Sequence, residues 1–234
     1  MFLRKKIKDQ KPNYYFDDDS IRQPSFQRKV RNEDIILKLG LEINYSLPVI
    51  EDENETKFRT SQEIVKRIII LYTLCSIAQG ESKDGIVDWF KSNRYWDEVS
   101  PKEKEFIESI NPSGQETIAI TWRSEAIYIL LWVLGFLDKI EIPFQQSDVQ
   151  VIEKIMSEVL KTKDNLFSKA KLRSNSEILD QLDLIYRLHW YVRNQQLNNR
   201  KVKKVDQEVV YEWHYALNWV TYYDENWDDI TTDT

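Results

Sequence analysis

The chain has few of the residues that cross-link or interrupt a fold. Its 234 residues include one cysteine, five glycines and six prolines. A single cysteine excludes a disulfide within the chain, and Cys75 lies in an apolar stretch that favours a small buried hydrophobe. Because sandwiches and barrels need a turn roughly every 8–12 residues, the scarcity of glycine and proline argues against an all-β fold.

Long apolar runs and metal-binding side chains are also scarce. The apolar run from Ala126 to Leu137 is too short to cross a bilayer, so we expect no membrane segment. No apolar stretch of the secretory type follows the basic first residues, which favours a cytoplasmic protein. The two histidines lack a metal-ligand spacing, and the sequence has no phosphate loop or nucleophile elbow. We therefore expect no metal and no cofactor.

The two signs of charge are distributed unevenly. There are 33 basic and 39 acidic residues, a net charge of −6, which argues against duplex nucleic acid as a partner. Residues 1–31 carry nine basic and four acidic residues, whereas residues 224–234 carry five acids and no base. An acidic surface suits a basic protein partner. We divide the chain into a basic arm over residues 1–27 and a single helical domain over residues 28–234.

Helix-start signals are abundant. In four places a serine or threonine stands three residues before Glu or Gln and directly before an apolar periodic stretch, the pattern of a capping box. These residues are Thr60, Ser113, Ser147 and Ser174. Ser100 and Asp206 indicate two further starts, and residues 20–39 and 86–90 each favour another helix. The pattern predicts an all-α fold, an irregular single-domain bundle of about seven or eight helices.

Residues 41–50 break this pattern. Apolar and mostly polar residues alternate here with a period of two, as in a strand. Because a lone strand has no hydrogen-bonding partner, we expect an extended segment that lies on the helices.

Charged side chains occupy positions on apolar helix faces in three predicted helices. Helical positions about 100° apart place these side chains at the contacts between the helices that contain residues 123, 187 and 214. We expect them to share one polar network, composed of Arg123, Glu125, Asp180, Asp183, Arg187, His189, Arg193, Glu212 and His214. Asp183 and Arg187 also have the i,i+4 spacing of a helical ion pair. Because an unpaired buried charge is costly, each must find a partner or reach water.

Three roles fit this network, and the sequence leaves them open. It could be a set of structural ion pairs that fixes the register of the helices. It could be a pocket for a small anion, since the arginine fork matches carboxylate and phosphate, or a hydrolase-like catalytic site. Our first expectation is a cytoplasmic binding or interaction protein. The alternatives are a small-anion-binding enzyme and an immunity-type protein that neutralises a basic partner.

Several short blocks occur together in a fixed order. They are Trp122-Arg123-Ser124-Glu125, Leu131-Trp132-Val133-Leu134-Gly135, Leu172-Arg173-Ser174, Glu177-Ile178-Leu179-Asp180, the run from Asp183 to Trp190, Ala216-Leu217-Asn218-Trp219 and Trp227-Asp228-Asp229. In this order they resemble a bacterial family known as domain of unknown function 4272, from about residue 28 to the end. The resemblance carries over no activity, catalytic residue or cofactor. It implies that the acidic C-terminal end packs against the domain.

Overall fold

The computed structural model of the protein describes residues 23–160 and 168–234. Within these ranges it contains eight α-helices and no strand, which confirms the predicted all-α fold. The helices are α1 (Pro24–Lys38), α2 (Ser61–Ala78), α3 (Ile86–Ser92), α4 (Pro101–Glu108), α5 (Gly114–Val133), α6 (Val149–Leu160), α7 (Asn175–Leu197) and α8 (Gln207–Val220). No described helix is both long and apolar enough to cross a membrane.

The predicted limit between arm and domain falls inside α1. Residues 1–22 of the arm lie outside the described residues. Pro24 occupies the first turn of α1, where its missing N–H costs no hydrogen bond. Helix α1 begins at Pro24, and two residues before position 28, Ser25 and Phe26, are already buried. The division into arm and domain stays a prediction.

Four helices begin with a complete capping box. The N-cap hydroxyls of Thr60, Ser100, Ser113 and Ser174 each accept the backbone N–H of a glutamate three residues on, and that glutamate accepts the N-cap N–H in return. The predicted box at Ser147 is wrong. Its hydroxyl donates to Glu125, and the Asp148 side chain instead accepts the N–H of Gln150.

Helix α5 ends at Val133, four residues before the end of its apolar run, and Gly135 turns the chain there. The N–H groups of Gly135 and Phe136 bond to the carbonyls of residues 132 and 131, which is the Schellman arrangement. Gly135 has φ +73°, and a Cβ there would stand 2.9 Å from the Lys171 carbonyl oxygen. The backbone of residues 171–173 lies against this end of α5, where Lys171 and Arg173 donate N–H bonds to its last carbonyls. Glycine therefore both turns the chain and admits a second backbone segment.

We expect Gly135→Ala to lower the free energy of unfolding by roughly 2–3 kcal/mol, because it adds a clash with Lys171 to left-handed strain of about 1–2 kcal/mol. Gly85→Ala is a matched control. Gly85 has φ +74° and no atom within 4 Å of the place where a methyl group would stand, so only the strain applies. Urea unfolding of both variants measures the difference, and equal losses would contradict the close approach at Gly135.

The helices enclose one large apolar cluster. Helix α5 packs against α2, α6 and α8, while α7 packs against α8 and α1. The cluster includes Ile68 of α2, Leu130 of α5, Ile185 of α7 and Leu217 of α8. A second apolar cluster lies around Phe90 and Phe106, between α2, α3 and α4. Helices α7 and α8 therefore lie side by side in the core, which puts their polar side chains at a helix–helix contact.

Residues 41–60 contain no helix or strand, as predicted, but the segment near residues 41–50 is not extended throughout, because the Leu47 N–H bonds to the Asn44 carbonyl in a turn. Leu41 and Leu47 anchor it by pointing into the protein, whereas Val49 stays partly exposed. At its end, the Arg59 N–H bonds to the carbonyl of Val220, the last residue of α8. The segment thus runs along the surface between α1, α7 and the end of α8.

Candidate functional site

The nine predicted network residues form separate groups. Asp180, Asp183 and Arg187 face α1; Arg123 pairs with Glu212; Glu125 bonds to Ser147 and Trp213; His189 bonds to His214; and Arg193 stands apart. The first four groups occupy different places along the helix contacts. The charges are therefore satisfied locally, and no described hydrogen bond or ion pair joins one group to another.

Asp183 and Arg187 form the buried centre of the α1–α7 contact. The Arg187 guanidinium donates to both Asp183 oxygens, at 2.9 and 2.7 Å, which confirms the predicted i,i+4 pair. Asp183 is fully buried and also accepts from Asn32 of α1 at 2.9 Å. Arg187 lies 3.4 Å from Glu33 of α1. A fork-to-carboxylate pair of this kind is strong and directional, so it fixes α1 against α7.

Asp180 extends the same contact to the surface. It accepts from Arg28 Nε at 3.1 Å and from Arg31 Nη2 at 2.9 Å. Arg28 also reaches Glu53, at 3.1 Å. Together with Lys29, which lies 3.7 Å from Glu33, the contact holds four cations and four carboxylates. The cluster is therefore electrically balanced.

Three buried cations of this cluster bind the backbone of the extended segment. Lys29 Nζ donates to the Tyr45 and Leu47 carbonyls at 2.7 and 2.6 Å. Arg187 donates to the Pro48 carbonyl at 3.1 Å, and Arg28 donates to the carbonyls of residues 50 and 51. Because a buried carbonyl without a partner costs free energy, these contacts explain how an irregular segment lies on the helices. Burial lowers the pKa of Lys29.

Arg123 and Glu212 form a second buried ion pair, between α5 and α8. The Nη1–Oε2 distance is 3.0 Å, and the guanidinium lies over the Tyr215 ring at 4.5 Å. Burial raises the pKa of Glu212 in spite of the arginine. Burial opposes the charged form of Arg123, but the Glu212 carboxylate outweighs it and the pKa of Arg123 is raised. Each member of the pair therefore offsets part of the cost of burying the other's charge.

The Glu125 side chain of α5 binds Ser147, just before the start of α6. Its carboxylate accepts the backbone N–H and the hydroxyl of Ser147, at 2.8 and 2.6 Å, and the Trp213 indole N–H at 3.3 Å. Burial raises the pKa of Glu125, although these three hydrogen bonds act to lower it. The contacts tie α5, α8 and the start of α6 together.

Arg193 lies at the exposed end of α7. Its Nη1 donates to Gln196 at 3.3 Å, and its side chain is exposed. The predicted semi-buried position is wrong, because the last turns of α7 extend past the core, where Leu197 is 75% exposed.

His189 and His214 face each other across the α7–α8 contact. Their Nδ1 atoms are 2.9 Å apart, so one ring donates and the other accepts, and only one of the two Nδ1 atoms carries a hydrogen. Burial lowers the pKa of His189 to about 4 and that of His214 to about 3. Arg193 adds to the effect on His189, and His189 to that on His214. Both rings are neutral at neutral pH.

A cleft of about 670 Å³ opens beside this histidine pair. It lies between the extended segment, α7, α8 and the tail after α8. Its lining residues are Pro48, Val49, Ile50, Glu51, Glu55, Thr56, Lys57, Leu179, Leu182, Tyr186, His214, Asn218, Thr221, Tyr222, Tyr223 and Asp233. We call it the tyrosine cleft, after Tyr186, Tyr222 and Tyr223. Of the nine predicted residues, only His214 lines it.

Two buried residues that line the tyrosine cleft each have one side-chain polar atom without a described partner. His214 is 2% exposed and uses Nδ1 for His189, and Asn218 is 5% exposed and uses Nδ2 for the Thr231 carbonyl. In the described part of the chain, the wholly buried polar side-chain atoms without a partner are Asp52 Oδ1 and Arg67 Nε. His214 Nε2 and Asn218 Oδ1 have no described partner and are not among them. Neither atom is therefore wholly buried, and both residues line the tyrosine cleft.

The C-terminal tail forms one wall of the tyrosine cleft and is firmly held. Trp227 and Ile230 are buried, which confirms that the acidic end packs against the domain. Arg59 donates to the carbonyls of residues 219, 224 and 225. Asp228 accepts from the Ser100 hydroxyl at 2.7 Å and the Lys102 N–H at 2.9 Å, at the N-terminus of α4 where the helix dipole favours an anion.

Sequence reasoning missed the tyrosines, Asn218 and the buried cations of α1. The stretch around residues 28–33 looks like a solvated polar helix face. A signal was present, because Lys29 and Glu33 are spaced i,i+4 on the same side as Phe26 and Ile36, both of which are buried. In the described residues, no group of three or more potential metal ligands comes together.

Comparison with known proteins gives one family match. The model of a family described as Domain of unknown function (DUF4272) matches residues 28–230. No curated protein and no solved structure matches the chain.

Proposed function

The chain belongs to this family of unknown function, and from that premise we propose that it is a bacterial, cytoplasmic binding protein whose ligand site is the tyrosine cleft. The observation that carries the proposal is the pair of free polar atoms, His214 Nε2 and Asn218 Oδ1, on otherwise buried side chains at the cleft. A buried polar atom that lacks a protein partner gains a hydrogen bond when a ligand supplies one.

The size and lining of the tyrosine cleft agree with this role. Its volume of about 670 Å³ is in the range of small-molecule sites. Apolar side chains such as Leu179 and Leu182 stand beside a few polar groups, as in sites where hydrophobic contact supplies affinity and hydrogen bonds fix orientation. Burial raises the pKa of Tyr186, so its hydroxyl is protonated and able to donate at neutral pH.

The small-anion enzyme has less support. The guanidinium groups of Arg123 and Arg187 already bind carboxylates of the protein, and neither residue lines the tyrosine cleft. The cytoplasmic assignment is supported by Cys75. It is the only cysteine in the chain, so the fold forms without an internal disulfide, as is usual for proteins of a reducing compartment.

The two histidines offer a direct test of the proposal. A fragment library of neutral, cationic and anionic compounds is added to ¹⁵N-labelled protein without a histidine tag. The imidazole signals come from His189 and His214 alone and are assigned with single-histidine variants. We expect fragments that bind to change the chemical shift of His214 Nε2 more than that of any nucleus in Arg123 or Glu212. A library in which no compound of any charge moves His214 would refute the proposal.

We expect Val49→Trp to reduce fragment affinity at least tenfold, because the larger ring fills the tyrosine cleft from its edge. Val49 is 39% exposed, so the substitution leaves the core intact. Val30→Trp is the matched control, since Val30 on α1 is 43% exposed and does not line the cleft. Isothermal titration of the best fragment measures both variants, and unchanged affinity in Val49→Trp would place the fragment elsewhere.

A further inference from the structure

The rim of the tyrosine cleft is acidic. Glu51, Glu55 and Asp233 line it and are exposed, and Lys57 is the one basic residue in the described lining. Three carboxylates against one ammonium give the opening a net negative charge at neutral pH. A cleft with one dominant sign concentrates ligands of the opposite sign.

The cations behind the cleft wall are paired with carboxylates and do not cancel this field. Arg59, beside Tyr222, lies 3.4 Å from Glu63. The cations that hold the extended segment belong to the α1–α7 cluster, where four cations face four carboxylates within 4 Å. A balanced cluster contributes little field beyond its own contacts. The exposed rim therefore determines which ligands the cleft attracts.

The unpartnered atoms His214 Nε2 and Asn218 Oδ1 are suited to a ligand that donates hydrogen bonds. Asn218 Oδ1 is an amide oxygen and only accepts hydrogen bonds, while the amide nitrogen donates to the Thr231 carbonyl. His214 Nε2 also accepts when the ring carries its proton on Nδ1 and donates it to His189. An ammonium or guanidinium group has several N–H donors and no acceptor. Both free atoms would then be satisfied by one cation.

The aromatic wall already contacts cations of the protein itself. The Arg59 guanidinium lies 4.0 Å from the Tyr222 ring centroid, and Lys57 Nζ lies 5.5 Å from it. Tyr223, beside them, is 57% exposed and offers a free ring. Cations are attracted to the faces of such rings, more strongly when water is partly excluded.

From the rim, the free acceptors and the rings together, we infer that the tyrosine cleft binds an organic cation, an ammonium or guanidinium group. The inference rests on the proposed function of the cleft and names the chemical class of its ligand. Two sources share this chemistry: a free small amine, and a lysine or arginine side chain of a partner protein. The acidic rim gathers the cation, the tyrosine rings cover it, and His214 and Asn218 accept its N–H groups.

The test uses three probes of graded chemistry on the full chain. They are agmatine, the peptide acetyl-Gly-Gly-Arg-Gly-Gly-amide, and the same peptide with neutral citrulline in place of arginine. Binding is followed by titration calorimetry and by the His214 imidazole signals. We expect at least one cationic probe to bind tenfold or more tightly than the citrulline peptide, with His214 held in the tautomer that has its proton on Nδ1. Added salt weakens the binding, because the rim charges are exposed.

We expect removing acidic charge and removing the basic charge of the rim to change the affinity for the cationic probe in opposite directions. Neutralising the three acids together, Glu51→Gln, Glu55→Gln and Asp233→Asn, weakens the cationic probe by roughly tenfold, whereas Lys57→Gln strengthens it by roughly two- to fivefold. The matched control is Asp88→Asn, Asp97→Asn and Glu105→Gln, which removes the same charge from exposed positions outside the cleft lining. This control changes the affinity less than twofold. All these positions are exposed, so folding is preserved.

Each outcome has a definite consequence. A citrulline peptide that binds as tightly as the two cationic probes, with His214 shifted, overturns the inference and leaves the proposed function standing. Failure of all fragments and probes to shift His214 overturns both. If the arginine peptide binds at least tenfold more tightly than agmatine, the natural ligand is a side chain of a partner protein. If agmatine binds at least tenfold more tightly, the natural ligand is a free small amine. Either order supports a cation site.

Discussion

Replacing Asp183 with alanine will lower the free energy of unfolding by about 3–5 kcal/mol, the range for a buried ion pair that loses one partner. Asp183 is 0% exposed and receives both donors of the Arg187 fork and the Asn32 amide. Without the carboxylate, the Arg187 cation stays buried, with Glu33 at 3.4 Å and the Pro48 carbonyl as its remaining partners. Urea unfolding followed by tryptophan fluorescence measures the loss.

The loss at Asp183 should far exceed that at an exposed pair. Arg200 lies 2.9 Å from Glu42, and both side chains are about half exposed. Arg200→Ala should cost less than about 1 kcal/mol, because water and side-chain entropy offset an exposed contact. The distances in the two pairs are similar, so burial is the main difference between the two contacts. If Asp183→Ala were as mild as Arg200→Ala, the α1–α7 contact would not depend on this pair.

A double substitution separates the attraction within the Asp183–Arg187 pair from the cost of leaving one buried charge without a partner. Asp183→Leu with Arg187→Met removes both charges and fills similar volume. We expect this protein to be more stable than Asp183→Ala, since burying no charge is often as favourable as burying a matched pair. The carbonyl of Pro48 then loses its donor. Increased proteolysis near residue 48, without global unfolding, would show that Arg187 also holds the extended segment.

The features that sequence predicted well are those fixed by neighbouring residues. Ser174 and Glu177 form their capping box within one turn, so the start of α7 was predicted correctly. The Asp183–Arg187 pair is likewise local, one turn apart on one helix. Signals of this kind depend little on the rest of the fold.

The features that sequence could not predict depend on contacts between distant residues. Arg28 meets Asp180 across 152 positions, and Arg123 meets Glu212 across 89. A helical wheel indicates which face of a helix a charge lies on, but not which of several opposite charges it meets. Ser147 illustrates the competition, because its hydroxyl serves Glu125, 22 residues away, and leaves capping to Asp148. The tyrosine cleft needs four chain segments at once, and no single segment carries its pattern.

Acidification from pH 7 to pH 5 will destabilise the protein through the histidine pair. The folded-state pKa values of His189 and His214, about 4 and about 3, lie below the ordinary value of 6.5. Between 6.5 and the folded values, the unfolded chain binds more protons than the folded one, so stability falls as pH falls. At about 1.4 kcal/mol per pKa unit, the loss by pH 5 is roughly 2 kcal/mol per histidine. Below the folded values the two states bind protons equally, and the effect levels off.

Other groups shift the pH dependence of stability in the opposite direction. Burial raises the pKa values of Glu125 and Glu212, so the folded state binds protons there more readily, and acid favours it. The histidine contribution must therefore be measured as a difference. His189→Asn with His214→Asn keeps an amide near each Nδ1 position, so a hydrogen bond is retained without a group that titrates. Both glutamates are unchanged in this variant.

We expect the unfolding free energy of the wild-type protein to fall by roughly 3–4 kcal/mol more, between pH 7 and pH 5, than that of the double variant. The starting stabilities need not be equal, because the comparison uses only the slopes. NMR titration of the imidazole carbons checks the cause, since both rings should stay neutral down to pH 5 in the folded state. Equal slopes, or a ring that titrates near 6.5, would mean that water reaches the Nδ1–Nδ1 contact and that the wall of the tyrosine cleft is open on its inner side.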